Sequence, residues 1–301
     1  MIVIISRGAG HGHAGTQARI LDLFRENRAE VKLLVARDGA EMAGLAKEAA
    51  ESDAEIVVGA GGDGTIDSIA SVLAGTGKTL AVLPLGTFNL FAKRLGIPMN
   101  LESAVHTAVH GRPTAINAAE VNGRTFLSRS SPRPLPAGAP ASRTNVPAFW
   151  TESIYRARQW RERAPALGSI MTIRLTSKGE TRLFRTRFAF ACNNPEELDY
   201  FHLRGRSCIE AGNLTLYLPK PLSKSGIIGL GLRLLARKTE ENRDFEMVCA
   251  PEFHLEIEPS RVPVSLDGEV EMMEAPLRYR LLPGALPVRV PVMRDRTGMS
   301  G

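Results

Sequence analysis

The 301-residue sequence predicts two domains, an N-terminal α/β domain on a parallel sheet followed by a largely antiparallel β domain, a β-sandwich. Three observations predict it. Continuously apolar runs alternate with helical patterns through the first third of the chain, as in a parallel sheet covered on both faces. After about Pro113 the pattern changes to strands joined by short turns. Each of three glycine-bearing turns in the first third follows an apolar strand. With 44% hydrophobic and 23% charged residues the chain has material for a core, which excludes a disordered protein.

The elements follow in order. Ile2-Val3-Ile4-Ile5 is a β-branched strand, and Thr16 to about Asn27 has helical periodicity. Val31–Val35 is a second strand, and Ala40–Glu51, rich in Ala and Glu, a second helix. Ile56-Val57-Val58 is a third strand, Thr65–Ala74 a helix and Leu80–Leu83 a buried strand. Leu101–His110 is the last helix before the boundary, which places domains at 1–125 and 126–301, with the chain end returning to the first. Ile116–Val121 and Arg124–Leu127 flank Asn122-Gly123, the favoured two-residue hairpin turn. Ile170–Leu175 and Arg182–Phe190 flank Lys178-Gly179 in the same way. Leu214–Leu218, Phe253–Ile257, Val262–Leu266 and Leu277–Leu282 complete the strands.

One segment departs from this order. Arg129–Pro165 holds six prolines and seven arginines. Pro132, Pro134 and Pro136 argue against ladder pairing, so a long basic surface loop is expected. An out-of-frame stretch between two in-frame ones has the same character.

Composition bounds the setting. Cys192, Cys208 and Cys249 are odd in number and widely spaced, match no zinc or disulfide pattern, and point to a reducing cytoplasm. Met1–Ser6 reads as a core strand, not a signal peptide, and no apolar run reaches the roughly 18–20 residues that span a bilayer. A formal charge of +6 suits anionic partners. Aromatic residues are 6% and no basic-aromatic surface motif occurs, so nucleic acid is not expected. Gly226–Arg237 is apolar and ends in Arg237-Lys238; it is read as a buried helix or as an element resting on an anionic membrane surface.

The chemistry lies in the glycine turns. Gly10-His11-Gly12-His13-Ala14-Gly15 is a formal dinucleotide fingerprint, with Asp38 near the position of a ribose-binding acid, and equally a ligand-free turn. Gly61-Gly62-Asp63-Gly64-Thr65 is read as a nest of backbone N–H groups aimed at phosphate, with Thr65 capping the next helix. Pro84-Leu85-Gly86-Thr87-Phe88-Asn89 offers the Thr87 hydroxyl and the Asn89 amide to a nucleotide or to a helix end. The last two turns stand at carboxyl ends of parallel strands, where open α/β sheets bind ligands.

These residues carry a resemblance. Gly61 to Asp67, then Leu80 to Asn89, then Phe91-Ala92-Lys93-Arg94-Leu95-Gly96-Ile97-Pro98 are similar to the catalytic domain of diacylglycerol kinase-like proteins, the bacterial lipid kinases above all. Sphingosine kinases and NAD kinases share the Gly-Gly-Asp-Gly core. The resemblance covers about residues 1–128 and 168–292. It implies an active site in a cleft between the two domains, with ATP and Mg²⁺ as cofactors and a lipid substrate met peripherally at the inner membrane face. It places Gly62, Asp63, Gly64, Thr65, Ile66 and Asp67 on the ATP loop and Thr87 on a second nucleotide contact, to which the residue reading adds Gly61 of the nest and the Asn89 amide. Ser265-Leu266-Asp267-Gly268-Glu269 resembles the family's Asp-Gly-Glu motif. Asp267 is then the proton acceptor, and Glu269 orients that base or holds metal. As residues alone, Asp267-Gly268 is also a plain hairpin turn. Glu210, in Ile209-Glu210-Ala211-Gly212-Asn213-Leu214, corresponds to a metal-binding turn. Departures include Leu90 at a position often acidic or polar, Ser68 in place of an acid, and Ala36 where a threonine is common.

The implied function is an ATP-dependent lipid kinase acting on diacylglycerol or a related glycerolipid. The alternatives are a kinase for a sphingoid base or NAD and a nucleotide- or lipid-binding homologue impaired in catalysis.

Overall fold

The computed structural model describes residues 1–7, 13–132, 170–186, 188–200, 203–220, 245–258, 260–267 and 269–292. Gly10-His11-Gly12, most of Arg129–Pro165 and the apolar stretch 226–237 lie outside these residues. The chain forms two compact units, Met1–Asn117 with the chain from Gly284 onward, and Ala118–Pro283.

The first unit is α/β. Strands β1 (Ile2–Ser6), β2 (Lys32–Ala36), β3 (Ile56–Gly61) and β4 (Thr79–Pro84) pair in parallel in the order β2-β1-β3-β4. Helices α1 (His13–Glu26), α2 (Gly39–Glu51), α3 (Asp63–Leu73), α4 (Leu90–Arg94) and α5 (Leu101–His110) alternate with them or follow. The continuously apolar character of β1, β3 and β4 has its cause here, since nearly every residue in them is buried. Val3, Ile5, Val58, Ala60, Ala81 and Leu83 pack against Ile20, Leu23 and Phe24 of α1 and Ala104, Val105 and Ala108 of α5. Two helix starts are fixed by caps. Asn100 accepts from the Ser103 amide at 2.8 Å. Asp38 accepts from the Glu41 amide at 3.0 Å, while Glu41 accepts in return from the Arg37 amide at 2.7 Å. Asp38 is therefore a helix cap, which is the physical account of an acid at that spacing.

The second unit is antiparallel. One sheet runs β12 (Phe245–Ala250), β11 (Leu214–Pro219), β10 (Phe190–Cys192), β7 (Arg129–Pro132), β14 (Arg261–Leu266), β15 (Glu269–Glu274). The other joins the first part of β16 (Leu277–Val290) to β13 (Glu252–Ile257), β8 (Met171–Ser177) and β9 (Glu180–Thr186). The two sheets share one core. Met171, Ile173 and Leu175, Leu214, Leu216 and Leu218, and Phe253, Leu255 and Ile257 point into it at the period of two that strands impose. Hairpin β5 (Arg112–Val121) to β6 (Arg124–Phe126) turns at Asn122 and Gly123, with φ of 48° and 80°, and β8 to β9 turns at Lys178 and Gly179, with φ of 52° and 79°. Both are the expected turns, with two left-handed residues in succession.

Several expectations are corrected. Arg129–Pro132 does not begin a loop: it is a strand between β10 and β14, with Pro132 at its last position, where the missing N–H interrupts nothing further. Arg182–Phe190 is not one strand, because β9 and β10 belong to different sheets and the chain changes sheet between Thr186 and Phe190. Strand β16 does not stop at Leu282; it continues through Pro283 and Gly284, whose φ is 62°. Cys208 and Cys249 are joined in a disulfide with Cα atoms 6.0 Å apart. Their 41-residue separation concealed this. Cys208 stands just before β11, and pairing of β11 with β12 returns Cys249 to its side, opposite Thr215. The spacing argument for a reducing compartment is thereby removed, while Cys192 is buried.

Candidate active site

Strands β3 and β4 end side by side, with Gly61 in register with Pro84, so the two glycine turns emerge together at the carboxyl end of the sheet. The Leu85 amide donates to the Gly61 carbonyl at 2.9 Å. Helix α3 starts at once. Gly62 is its N-cap, and the amides of Thr65 and Ile66 donate to the Gly62 carbonyl at 2.9 and 3.1 Å. Thr65 thus sits inside the first turn and is not the cap. The arrangement is also not a nest, because Gly61, Gly62 and Gly64 are absent from the positive-φ positions. It is a helix N-terminus, whose leading amides at Asp63 and Gly64 have no acceptor within the helix and whose dipole favours an anion.

The glycines are required for space. A Cβ on Gly86 would lie 2.4 Å from the Gly62 Cα, and one on Gly61 would lie 2.5 Å from the Thr65 hydroxyl. Asn89 closes the second turn: its Oδ1 accepts from the Gly86 amide at 3.0 Å and its Nδ2 donates to the Gly86 carbonyl at 2.8 Å. Asn89 takes a left-handed conformation with φ of 50°, so its amide is engaged within the turn. Asp63 ties the turns together, its Oδ1 accepting from the Phe91 amide at 3.1 Å. Ile66 and Asp67 point inward and are buried. Gly64 and Thr87 are exposed, and Gly62, Asp63 and Thr65 are partly so.

In the second unit, Asp267 occupies a hairpin turn between Leu266 and Glu269, which are paired, and its φ is 45°. Its carboxylate accepts three consecutive backbone amides: Leu127 at 2.7 Å, Ser128 at 3.0 Å and Arg129 at 2.8 Å. Its own amide donates to the Arg129 carbonyl at 3.0 Å. Burial pushes the carboxyl above the usual range, opposed by the amides of Arg129, Leu127 and Ser128 and by the Arg129 charge. A carboxylate has roughly four acceptor sites, so these three bonds leave about one over. The Glu269 backbone is in β15, while Gly268 and the Glu269 side chain lie outside the described residues.

Sequence reasoning missed what holds the amides in place. Asn193 and Asn194 are buried at 0% and 1% exposure. The Asn193 amide donates to the Ser128 carbonyl at 2.9 Å and its Nδ2 to the Leu127 carbonyl at 3.3 Å. Asn194 Nδ2 reaches the Ser128 hydroxyl at 3.4 Å. Asp267 thus holds the N–H groups of Leu127–Arg129 and the Arg129 carbonyl, and Asn193 the carbonyls of Leu127 and Ser128. Two adjacent asparagines after an apolar strand were the available signal, since buried amides are kept where they are bonded.

Glu210, the expected metal ligand, is exposed at the end of α7 (Arg206–Glu210) and accepts from Arg206 at 3.0 Å. Among the described residues no group of three or more His, Cys, Asp or Glu side chains is arranged to hold a metal ion. Also among them, no helix is long and apolar enough to cross a membrane.

Known proteins resemble this chain in sequence and in fold. Residues 1–121 match the family described as "Diacylglycerol kinase catalytic domain". A protein of Cronobacter sakazakii named "Probable lipid kinase YegS-like" is 37% identical over 109 residues, 35% of this chain and 36% of the relative. Its namesake in Yersinia pestis is 43% identical over 85 residues, 27% of this chain and 29% of the relative. The chain thus spans about a third of the length of these curated relatives. A crystal structure of a diacylglycerol kinase from Bacillus anthracis str. Sterne superposes with a TM-score of 0.70 at 20% identity, covering 96% of both chains, and so shares the fold. Residues 1–121, which carry both glycine turns, are thus similar to the diacylglycerol kinase catalytic domain and to the lipid kinases named above.

Proposed function

We propose that the chain is an ATP-dependent lipid kinase that transfers the γ-phosphoryl group to a lipid hydroxyl, with diacylglycerol or a related glycerolipid as acceptor. The observation that carries the reading is the interlocked pair of turns at Gly61–Thr65 and Pro84–Asn89, joined by the Gly62–Gly86 contact and the Asp63 bond. Phosphoryl transfer depends on positioning and charge stabilisation more than on covalent help from the protein. The leading amides of α3 suit the ATP phosphates, and Thr87 lies exposed on the neighbouring turn. Mg²⁺ arriving with the nucleotide would supply charge neutralisation for the phosphates. Asp267 is the proposed acceptor of the lipid hydroxyl proton. Its raised pKa suits a base better than that of an ordinary exposed aspartate. Glu269 is proposed to act beside it. The lipid is proposed to be met at a membrane surface.

Radiolabelled ATP offered in parallel with diacylglycerol, monoacylglycerol, sphingosine and NAD tests the reading. Label in a glycerolipid product is expected. Label only in sphingosine or NAD moves the chain to another acceptor class, and nucleotide binding with no product makes it a binding homologue.

A further inference from the structure

We infer that Arg206 is a resident cation at an acidic junction in the second unit, so that this chain needs no divalent metal ion there. Two short helices, α6 (Pro195–Tyr200) and α7, flank the junction. They are anchored from beneath, where Leu198 and Ile209 join a buried cluster with Cys192, Tyr217 and Phe245. On the outer side three carboxylates converge on one guanidinium. Glu196 accepts from Nη2 at 2.8 Å, Glu210 accepts from Nη1 at 3.0 Å, and Asp199 accepts from Nε at 2.9 Å and also from Nη2.

The residue types fit a cation of this shape. A guanidinium offers five donors in a flat fork and can serve three acceptors at once, which a lysine ammonium does only as a point charge. A metal ion asks for something different, with oxygens closed around a sphere at about 2.0–2.6 Å. Here the oxygens are spread around a plane, and among the described residues no acid cluster is arranged as a metal shell. The metal that the resemblance implied at Glu210 therefore does not fit, because the carboxylate it needs is engaged by Arg206.

Charge balance gives the consequence. One positive charge faces three negative ones across the two helices. Each pair alone is weak, since these side chains are between 32% and 56% exposed. Removing the shared cation is a different matter, because three carboxylates on short, anchored helices then repel one another. Such a set should recruit a divalent ion from solution.

Thermal unfolding without nucleotide, in KCl and in millimolar MgCl₂ or CaCl₂ at matched ionic strength, tests this on the full chain. Wild type should keep the same Tm in all three salts to within about 1 °C, while Arg206→Ala should lose roughly 2–4 °C in KCl and regain at least half of it with either divalent ion. Adding Glu210→Gln to that variant should abolish most of the recovery. A wild-type Tm that rises with divalent ions as much as the variant's, or a variant that recovers nothing, overturns the assignment. Should Arg206→Ala not accumulate, Mn²⁺ titration of wild type and Glu210→Gln by electron paramagnetic resonance decides. Equal Mn²⁺ uptake by the two supports the resident cation, and one equivalent bound by wild type but lost in the variant contradicts it. Stability and metal uptake are the readouts, so the outcome does not depend on which acceptor the enzyme phosphorylates.

Discussion

Gly62 and Gly86 meet backbone to backbone: a Cβ added to Gly86 would stand 2.4 Å from the Gly62 Cα. The contact places the second turn against the start of α3, and it exists only because neither residue has a side chain. Gly86→Ala is therefore expected to push the turns apart and weaken nucleotide binding at least about tenfold by isothermal titration, a loss of about 1.4 kcal/mol. Gly44, exposed inside α2 with nothing near its would-be Cβ, is the control. Gly44→Ala should stabilise the fold by about 0.5–1 kcal/mol through helix propensity and leave nucleotide affinity as it was.

Asp63 can serve the site through its charge or through its bond to the Phe91 amide, and one pair of variants separates these roles. Asp63→Asn keeps an oxygen able to accept that bond, while Asp63→Ala does not. If bracing dominates, Asn recovers most of the nucleotide affinity that Ala loses, with the change falling in KM for ATP and not in kcat. Equal loss in both variants assigns the role to the charge.

Asparagine at 267 is not a silent isostere here. Both carboxylate oxygens face backbone N–H groups, so Asp267→Asn must turn an NH₂ toward a donor. A stability loss of about 1–3 kcal/mol is expected in urea unfolding, alongside the loss of activity. Activity should be compared at temperatures where the variant is shown to be folded.

The pH dependence follows from the same carboxyl. Its folded pKa is raised above the ordinary aspartate value of 3.8. Between those two values the folded state holds more protons than the unfolded one, so this group's contribution to stability falls as pH rises through that window. The base must be ionised to work, so the acidic limb of kcat/KM should lie above the ordinary aspartate range. A limb at or below 3.8 would remove Asp267 from that role.

Asn193→Ala leaves the Leu127 carbonyl without its side-chain donor beneath the amides that hold Asp267. Hydrogen exchange at Leu127, Ser128 and Arg129 should accelerate relative to Ser130 and Ser131 of β7. Nucleotide affinity, which depends on the first unit, should stay within about threefold of wild type, less than 1 kcal/mol.

The α/β half was legible because its signals are local. Apolar strands, helix periods and glycine turns each fall within a few residues, and β1, β3, β4 and α5 appear at or within about three residues of where they were expected. Asn122-Gly123 and Lys178-Gly179 were legible for the same reason. What remained hidden was pairing across the sequence. Nothing near Arg129 announces that it enters a sheet between β10 and β14, and nothing near Cys208 announces Cys249. In the site, Asp63 and Asn89 stood out as polar residues among glycines, but the bonds their side chains make did not. A turn rich in glycine reads as left-handed backbone, whereas here the glycines are spacers and the polar side chains brace the two turns.

The central claim is that the paired turns hold ATP and Asp267 takes the proton from a lipid hydroxyl. The most direct measurement is single-turnover transfer of labelled phosphate from ATP to diacylglycerol in mixed vesicles, for wild type and Asp267→Ala, with nucleotide affinity measured on the same preparations. Transfer should fall at least about a hundredfold in the variant, within the range expected for loss of a general base, while ATP affinity changes less than about threefold. Transfer at the wild-type rate in a folded Asp267→Ala protein would contradict the account.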